Sequence, residues 1–215
     1  MDAIIVSAPF YLQGFLATLQ LLAIAGVGAF VLGTLVAALR ISPIPALRIF
    51  ATVYTEVLRN TPLLLILFFC AFVLPYLQVK LDFFVLAAIG LTAYTSPFIA
   101  EAIRSGFNGV PVGQAEAARS IGLRFGQTVS LVVLPQAIRM VIPPLINVFI
   151  ALTKNTSVAG AFFVVELFGA TKRATLEHGN AVIPILLFAA ALYLVITVPL
   201  GLIAGAIEKR VAVLR

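Results

Sequence analysis

The chain has 215 residues, of which 62% are hydrophobic and only 10% charged, with no Trp, and its mean hydropathy is +1.17. Soluble domains carry charge on about a quarter of their residues, so a soluble globular fold is excluded and the bilayer must act as solvent. The net charge of +6 is read as a topology signal, and no nucleic-acid partner is expected.

A spanning helix needs about 20 apolar residues. Uncharged runs cover Ala3 to Leu39, Asn60 to Val79, Phe83 to Ala100 and Gly179 to Ile207, and a fifth candidate, Met140 to Val165, is interrupted by Lys154. The runs are continuously apolar rather than alternating, which argues for helices over strands. The sequence therefore predicts an all-α integral membrane protein of one domain, with spans over about 15–39, 61–78, 83–103, 137–158 and 182–207.

Met1-Asp2-Ala3 is acidic where a cleavable signal peptide is basic, so the first span is expected to be retained. Gly14, Gly26, Gly28 and Gly33 on that span permit close helix approach. Ser42-Pro43-Ile44-Pro45 breaks it, a short piece from Ala46 to Asn60 leads on, and Pro62 suits the start of the second span. A tight turn at Lys80-Leu81-Asp82 precedes the third. Arg104 to Arg139, 36 residues, then forms the one long charged segment.

Within it, Val112, Ala115, Ala118 and Ile121 recur every three residues and predict a short helix with an apolar stripe. Gly122 offers its stop. Phe125 to Leu134 can form a second short helix that Pro135 ends or kinks. The fourth span, a loop around Thr171 to Gly179 and the fifth span complete the chain.

Five spans place Arg40, Arg48, Arg59, Arg104, Arg119, Arg124, Arg139, Lys209, Arg210 and Arg215 on one side. Lys80, Lys172 and Arg173 fall on the other, and Lys154 lies in or near a span. Ten against three sets the N-terminus outside and the C-terminus inside. The segment GQAEAARSIG, Gly113 to Gly122, is then cytoplasmic. Its polar face carries Gln114, Glu116 and Arg119, and its alanines are too small to anchor in lipid, which favours docking to a protein over lying on the membrane. Cys70 stands alone in a span and His178 is the sole His, so no disulfide framework or His-pair metal site is expected.

Glu116-Ala117-Ala118, three residues before Gly122, and Leu134-Pro135 eleven further on resemble the EAA loop of bacterial ATP-binding-cassette (ABC) importer permeases, with Val132 where that pattern has Ile. Glu56-Val57-Leu58-Arg59-Asn60-Thr61-Pro62-Leu63-Leu64, Phe98 to Gly106, Leu134 to Ala137 and Lys154-Asn155-Thr156-Ser157 resemble further blocks of the polar amino-acid permeases. The likeness covers most of residues 50 to 160 and is nearest to the actinobacterial glutamate-importer permeases.

The resemblance implies a type I importer permease of the bacterial plasma membrane with a cytoplasmic coupling loop over about 107–135. Two ATP-binding subunits, a second permease (identical or paralogous) and an outside solute-binding protein would complete it. Gln114, Glu116, Ala117, Ala118, Arg119, Gly122, Leu134 and Pro135 would couple to the ATPase, Glu116 meeting a donor in its cleft and Ala117 and Ala118 allowing close approach. ATP and Mg would sit on the partner, since no G-x-x-x-x-G-K-[ST] occurs here. No cofactor, metal or catalytic residue is expected in this chain.

Charges at bilayer depth cost roughly 2.5–3.5 kcal/mol on insertion scales, so Lys154 faces either a cavity or, by snorkelling, the outer interface. Lys154-Asn155-Thr156-Ser157 runs beside the pathway in resembling permeases, commonly with Asp at the second position. Asn155 favours an acidic cargo over a cationic one. Arg59 and Thr61 line the path or cap span two. Tyr94 and Thr95 line a cavity or merely repair the helix that Pro97 interrupts. Glu101 and Arg104, three apart, satisfy each other. The expected cargo is glutamate, with glutamine, aspartate, histidine or arginine as alternatives. A channel or ion-coupled carrier is the reading from another class, and it leaves Gly113 to Pro135 unexplained.

Overall fold

The computed structural model describes residues Asp2 to Ala212; Met1 and Arg215 lie outside the described residues. Every regular element among them is helical. After α1 (Asp2–Val6), α2 runs from Ala8 to Arg40, α3 from Pro45 to Asn60 and α4 from Leu63 to Phe68. A π-helical turn (Phe69–Val73) joins α4 to α5 (Leu74–Tyr76), and α6 follows over Phe83–Asn108. The short α7 (Val112–Ser120) leads to a continuous rod of α8 (Phe125–Gln127), a second π turn (Thr128–Val133), α9 (Leu134–Asn155) and a 3₁₀ end (Thr156–Ala161). Then come α10 (Leu167–Glu177) and α11 (Val182–Ala212).

Four helices are individually long and apolar enough to cross a membrane: Ala8–Arg40, Phe83–Asn108, Phe125–Ala159 and Gly179–Arg210. The fifth apolar candidate is a broken pair, Pro45–Asn60 with Leu63–Tyr76, bent by 101°. Its second limb is shorter than the expected 61–78, because Pro62 sets its start and Gln78, at φ +67°, turns the chain out of it. The expected short piece after Ser42 is the first limb, α3. Ala51 and Thr55 point inward from it while Phe50, Val53 and Val57 stay exposed.

Other bounds shift for local reasons. The first spanning helix, α2, begins at Ala8 rather than near 15, with Pro9 in its first turn where a missing N–H is harmless. The loop expected at Thr171 to Gly179 is largely the helix α10. Phe125 begins a rod of 35 residues, about 52 Å at 1.5 Å per residue and longer than the roughly 30 Å hydrocarbon core. Pro135 neither ends nor kinks it. A proline ring clashes with the carbonyl four residues back, and the π turn shifts that register just before Leu134-Pro135. The same Val-Leu-Pro follows the π turn at Phe69–Val73.

Close approach sets the packing. At Gly33 on α2 a Cβ would stand 2.6 Å from the Ser96 carbonyl oxygen on α6, and at Gly106 on α6 it would overlap Val141 on α9. At the expected outer end, Glu166 is fully buried. It caps α10, accepting from the N–H groups of Phe168 (2.9 Å) and Gly169 (2.7 Å), and also accepts from Tyr193 Oη of α11 (2.8 Å). The Leu167 N–H donates to Thr18 Oγ1 of α2 (3.1 Å). One carboxyl thus seats α10 between α2 and α11.

Burial raises the Glu166 pKa above its ordinary value, against the pull of its donors. A carboxyl whose folded-state pKa is raised contributes stability that is complete below its unfolded value, about 4.3, and is lost as pH rises through the folded one. Glu166→Gln should remove that dependence: in detergent melts the wild type should lose stability relative to the variant as pH climbs from about 4. A flat difference, or one opening the other way, would contradict this.

Candidate functional site

Two assemblies gather the residues singled out by the sequence. The first is the knuckle between α6 and the long rod. Pro111 starts α7, accepting from the Gln114 N–H (3.0 Å). The helix closes as a Schellman turn: Leu123 N–H donates to Ala118 O (3.2 Å) and Gly122 N–H to Arg119 O (3.0 Å), with Gly122 at φ +90°. Residues with a Cβ avoid that conformation. Arg124 then turns extended, its N–H held by Gln127 Oε1 (3.0 Å), and the rod begins.

Ala118 is buried against the chain's own π turn and Ala115 is half-buried, so α7 uses this side to sit on the rod. The expectation that both Ala117 and Ala118 face a partner is therefore corrected: only Ala117 lies on the free side. Gln114, Glu116 and Arg119 are exposed there too, and Glu116 forms no ion pair among the described residues. Leu134 is half-buried and Pro135 exposed along the rod, directly after the π segment and off α7.

Two residues outside the expected coupling set dominate the free surface. Ile121 is 80% and Phe125 78% exposed, flanking Gly122. Of the expected apolar stripe, Ala118 is buried and Ala115 half-buried, while Val112 and Ile121 at its two ends stay exposed, Ile121 because the Schellman turn has already ended the helix.

The second assembly is a cleft of about 360 Å³ between α6 and α9, lined by Tyr94, Thr95, Phe98, Asn147, Val148, Ala151, Leu152 and Asn155. Pro97 leaves the Ala93 carbonyl without its helical donor. Ser96 Oγ donates to it (3.1 Å) and Tyr54 Oη of α3 approaches both (3.5 Å to Ala93 O, 2.8 Å to Ser96 Oγ). Repair and cavity lining thus coexist. Ser96 mends the helix, and Thr95, 3% exposed, keeps a hydroxyl with no hydrogen bond among the described residues.

Of Lys154-Asn155-Thr156-Ser157, only Asn155 reaches the cleft. Lys154 is exposed and away from it; Thr156 is fully buried and donates to Thr153 O (2.7 Å); Ser157 bonds back to Lys154 O (2.7 Å). A helix turns each successive residue by about 100°, so four neighbours cannot share one face. Thr61 caps its own helix through Val57 O (2.7 Å) and does not line the cleft. Arg59 stands behind the wall, its guanidinium 5.6 Å from the Phe98 ring centre. Asn147 was missed, although an Asn flanked by Ile146 and Val148 is a polar group at bilayer depth, and it lies two turns before Asn155 on the same face.

Below the cleft Glu101 does more than pair with Arg104. Arg104 donates to its Oε2 through Nε (3.0 Å) and Nη2 (2.8 Å), Arg40 of α2 bonds Oε1, and Arg59 Nη1 of α3 lies 3.8 Å away. One carboxylate therefore joins three helices.

A bundle of long apolar helices, with a cleft that sets two asparagines among apolar walls and an exposed short helix beside the rod, is the architecture of a membrane permease. Residues 29–213 match the family of binding-protein-dependent transport system inner membrane components, and the chain belongs to that family. It is 39% identical to the glutamate transport system permease protein GluC of Corynebacterium glutamicum, with 95% of each chain covered. It is also 44% identical to the probable glutamine ABC transporter permease protein GlnM of Bacillus subtilis, over 93% of this chain and 92% of that one. Its fold superposes at a TM-score of 0.89 on a crystal structure of an amino acid ABC transporter with histidines, 28% identical and 96% covered on both sides. The chain is a permease subunit of the plasma membrane and not itself an enzyme.

The unpartnered Thr95 hydroxyl separates folding from transport. Thr95→Val should leave the melting temperature unchanged or raise it, since an unsatisfied buried hydroxyl costs about 1–3 kcal/mol, while lowering uptake by the reconstituted importer. Unchanged uptake would remove Thr95 from the pathway.

Proposed function

We propose that this chain forms half of the translocation pathway of an ABC importer for glutamate or glutamine, with a second permease, two ATP-binding subunits and an external solute-binding protein as its companions. One observation carries the reading: the amide-lined cleft lies on α9, the rod whose inner end bears the knuckle. Whatever grips α7 moves the wall of the cleft with it. ATP and Mg belong to the gripping subunit.

The lining of the cleft supports the cargo. It contains no carboxylate and no cation, only Tyr94, Thr95, Asn147 and Asn155 as polar groups. A cationic amino acid would enter without a counter-charge at a depth where charge is costly. Carboxylate and amide side chains can be met by the donors of Asn147 and Asn155, with Arg59 adding a positive field from behind Phe98. The similarity to permeases named for glutamate and glutamine points the same way. Asn155→Asp should depress glutamate uptake by tenfold or more, at about 1.4 kcal/mol per decade, and glutamine uptake less. Equal effects on both cargoes would refute the electrostatic part.

The coupling half is tested on the knuckle. Large apolar side chains at the centre of an interface carry most of its energy, about 2 kcal/mol or more each, so Ile121 and Phe125 should anchor the ATPase and Glu116 should orient it. Ile121→Ser with Phe125→Ser, and separately Glu116→Lys, should abolish co-purification of the ATPase while the permease still melts normally in detergent. Retained co-purification in both variants would refute coupling through α7.

A further inference from the structure

A second groove, of about 280 Å³, opens between the C-terminal ends of α2 and α6, lined by Ala37, Ala38, Ile41, Ile103, Phe107 and Arg104. Its walls are apolar apart from the end that carries Arg104 and Asn108. Thr34, also on its edge, spends its hydroxyl on Phe30 O of its own helix (2.7 Å). The groove is distinct from the amide-lined cleft, and no residue is shared between them.

The charge beside the groove is unbalanced. Arg40, Arg59 and Arg104 all face Glu101, and Glu56 is the further carboxylate whose charge acts on Arg40, so three guanidinium groups meet two carboxylates. Arg104 engages Glu101 through Nε and Nη2 only, and its side chain is 44% exposed. Its Nη1 remains free for an anion at the mouth of the groove. Both helices end here, at Arg40 and Asn108, where spans of this length reach the headgroups.

We propose that this groove holds one anionic phospholipid of the cytoplasmic leaflet, an acyl chain along Ala38, Ile103 and Phe107 and the phosphate on Arg104. The occupant follows from charge complementarity combined with an apolar wall. A free phosphate would use the arginine and leave the wall idle, and a zwitterionic lipid would fill the wall and gain little from the excess cation. Basic pockets between the cytoplasmic ends of spanning helices bind anionic headgroups on these grounds. The bound lipid would brace α2 against α6 beside the Glu101 junction. This inference rests on the membrane topology and is independent of the cargo and of the ATPase.

Native mass spectrometry of the full chain, released from detergent with equal amounts of phosphatidylglycerol and phosphatidylcholine of matched chain length, tests it. Retention of phosphatidylglycerol should exceed that of phosphatidylcholine by roughly fivefold, the worth of one well-placed arginine. Arg104→Gln should erase the preference. Ala38→Trp should reduce retention of both lipids by filling the groove from a position already exposed in the fold, so it keeps the test informative if Arg104→Gln misfolds. Equal retention of the two lipids, phosphatidylglycerol retention unaffected by Ala38→Trp, or displacement of the lipid by glycerophosphate alone would each overturn the proposal.

Discussion

Helices in a bilayer gain little by burying one apolar face rather than another, because lipid tails are as apolar as a leucine. Contact must come from close approach and from polar ties, and this bundle is built on both. Gly33 brings α2 onto the backbone of α6, and Gly106 brings α6 onto α9. The ties stand at opposite ends. Glu166 seats α10 against α2 and α11, while Glu101 gathers arginines from α2, α3 and α6. Between these ends lies the Thr95–Asn155 cleft.

The placement of that cleft gives the permease its mechanical logic. α9 supplies Asn147, Ala151 and Asn155 to the cleft and continues, through the π turn and α8, into the Schellman turn that carries α7. Leu134-Pro135 is absorbed by the register shift before it, and Pro143-Pro144 lie inside α9 without ending the helix. On the proposed reading, a displacement imposed on α7 would reach the cleft along this one continuous helical run. Rigid-body rocking of such units about an interface is an ordinary route to alternating access.

Much of this was legible in the sequence. Long uncharged runs can only be helices in a medium without water, so the number and approximate place of the spans follow from composition. The polar break at Gly113 to Gly122 marked a short helix apart from the long apolar ones, and its glycine marked the turn. Faces were harder. Spacing placed Ala118 and Ile121 on one stripe, yet the helix ends between them, and the stripe splits into a buried alanine and an exposed isoleucine. Lys154-Asn155-Thr156-Ser157 read as one polar block because adjacency in sequence hides the 100° step of a helix. Of the three-arginine junction on Glu101 only the Arg104 pair was legible, since Arg40 and Arg59 meet Glu101 only when three helices are packed.

The central claim is that α7 and α9 move as one body that reshapes the cleft. Spin labels on Ser120 and Ile138 of one permease subunit, and a second pair at Val148 of the two facing permeases, would be measured by double electron–electron resonance in the assembled importer with and without ATP. The account predicts an unchanged distance within the subunit and a shifted one across the cleft. A knuckle that swings relative to the rod while the distance across the cleft stays fixed would contradict it.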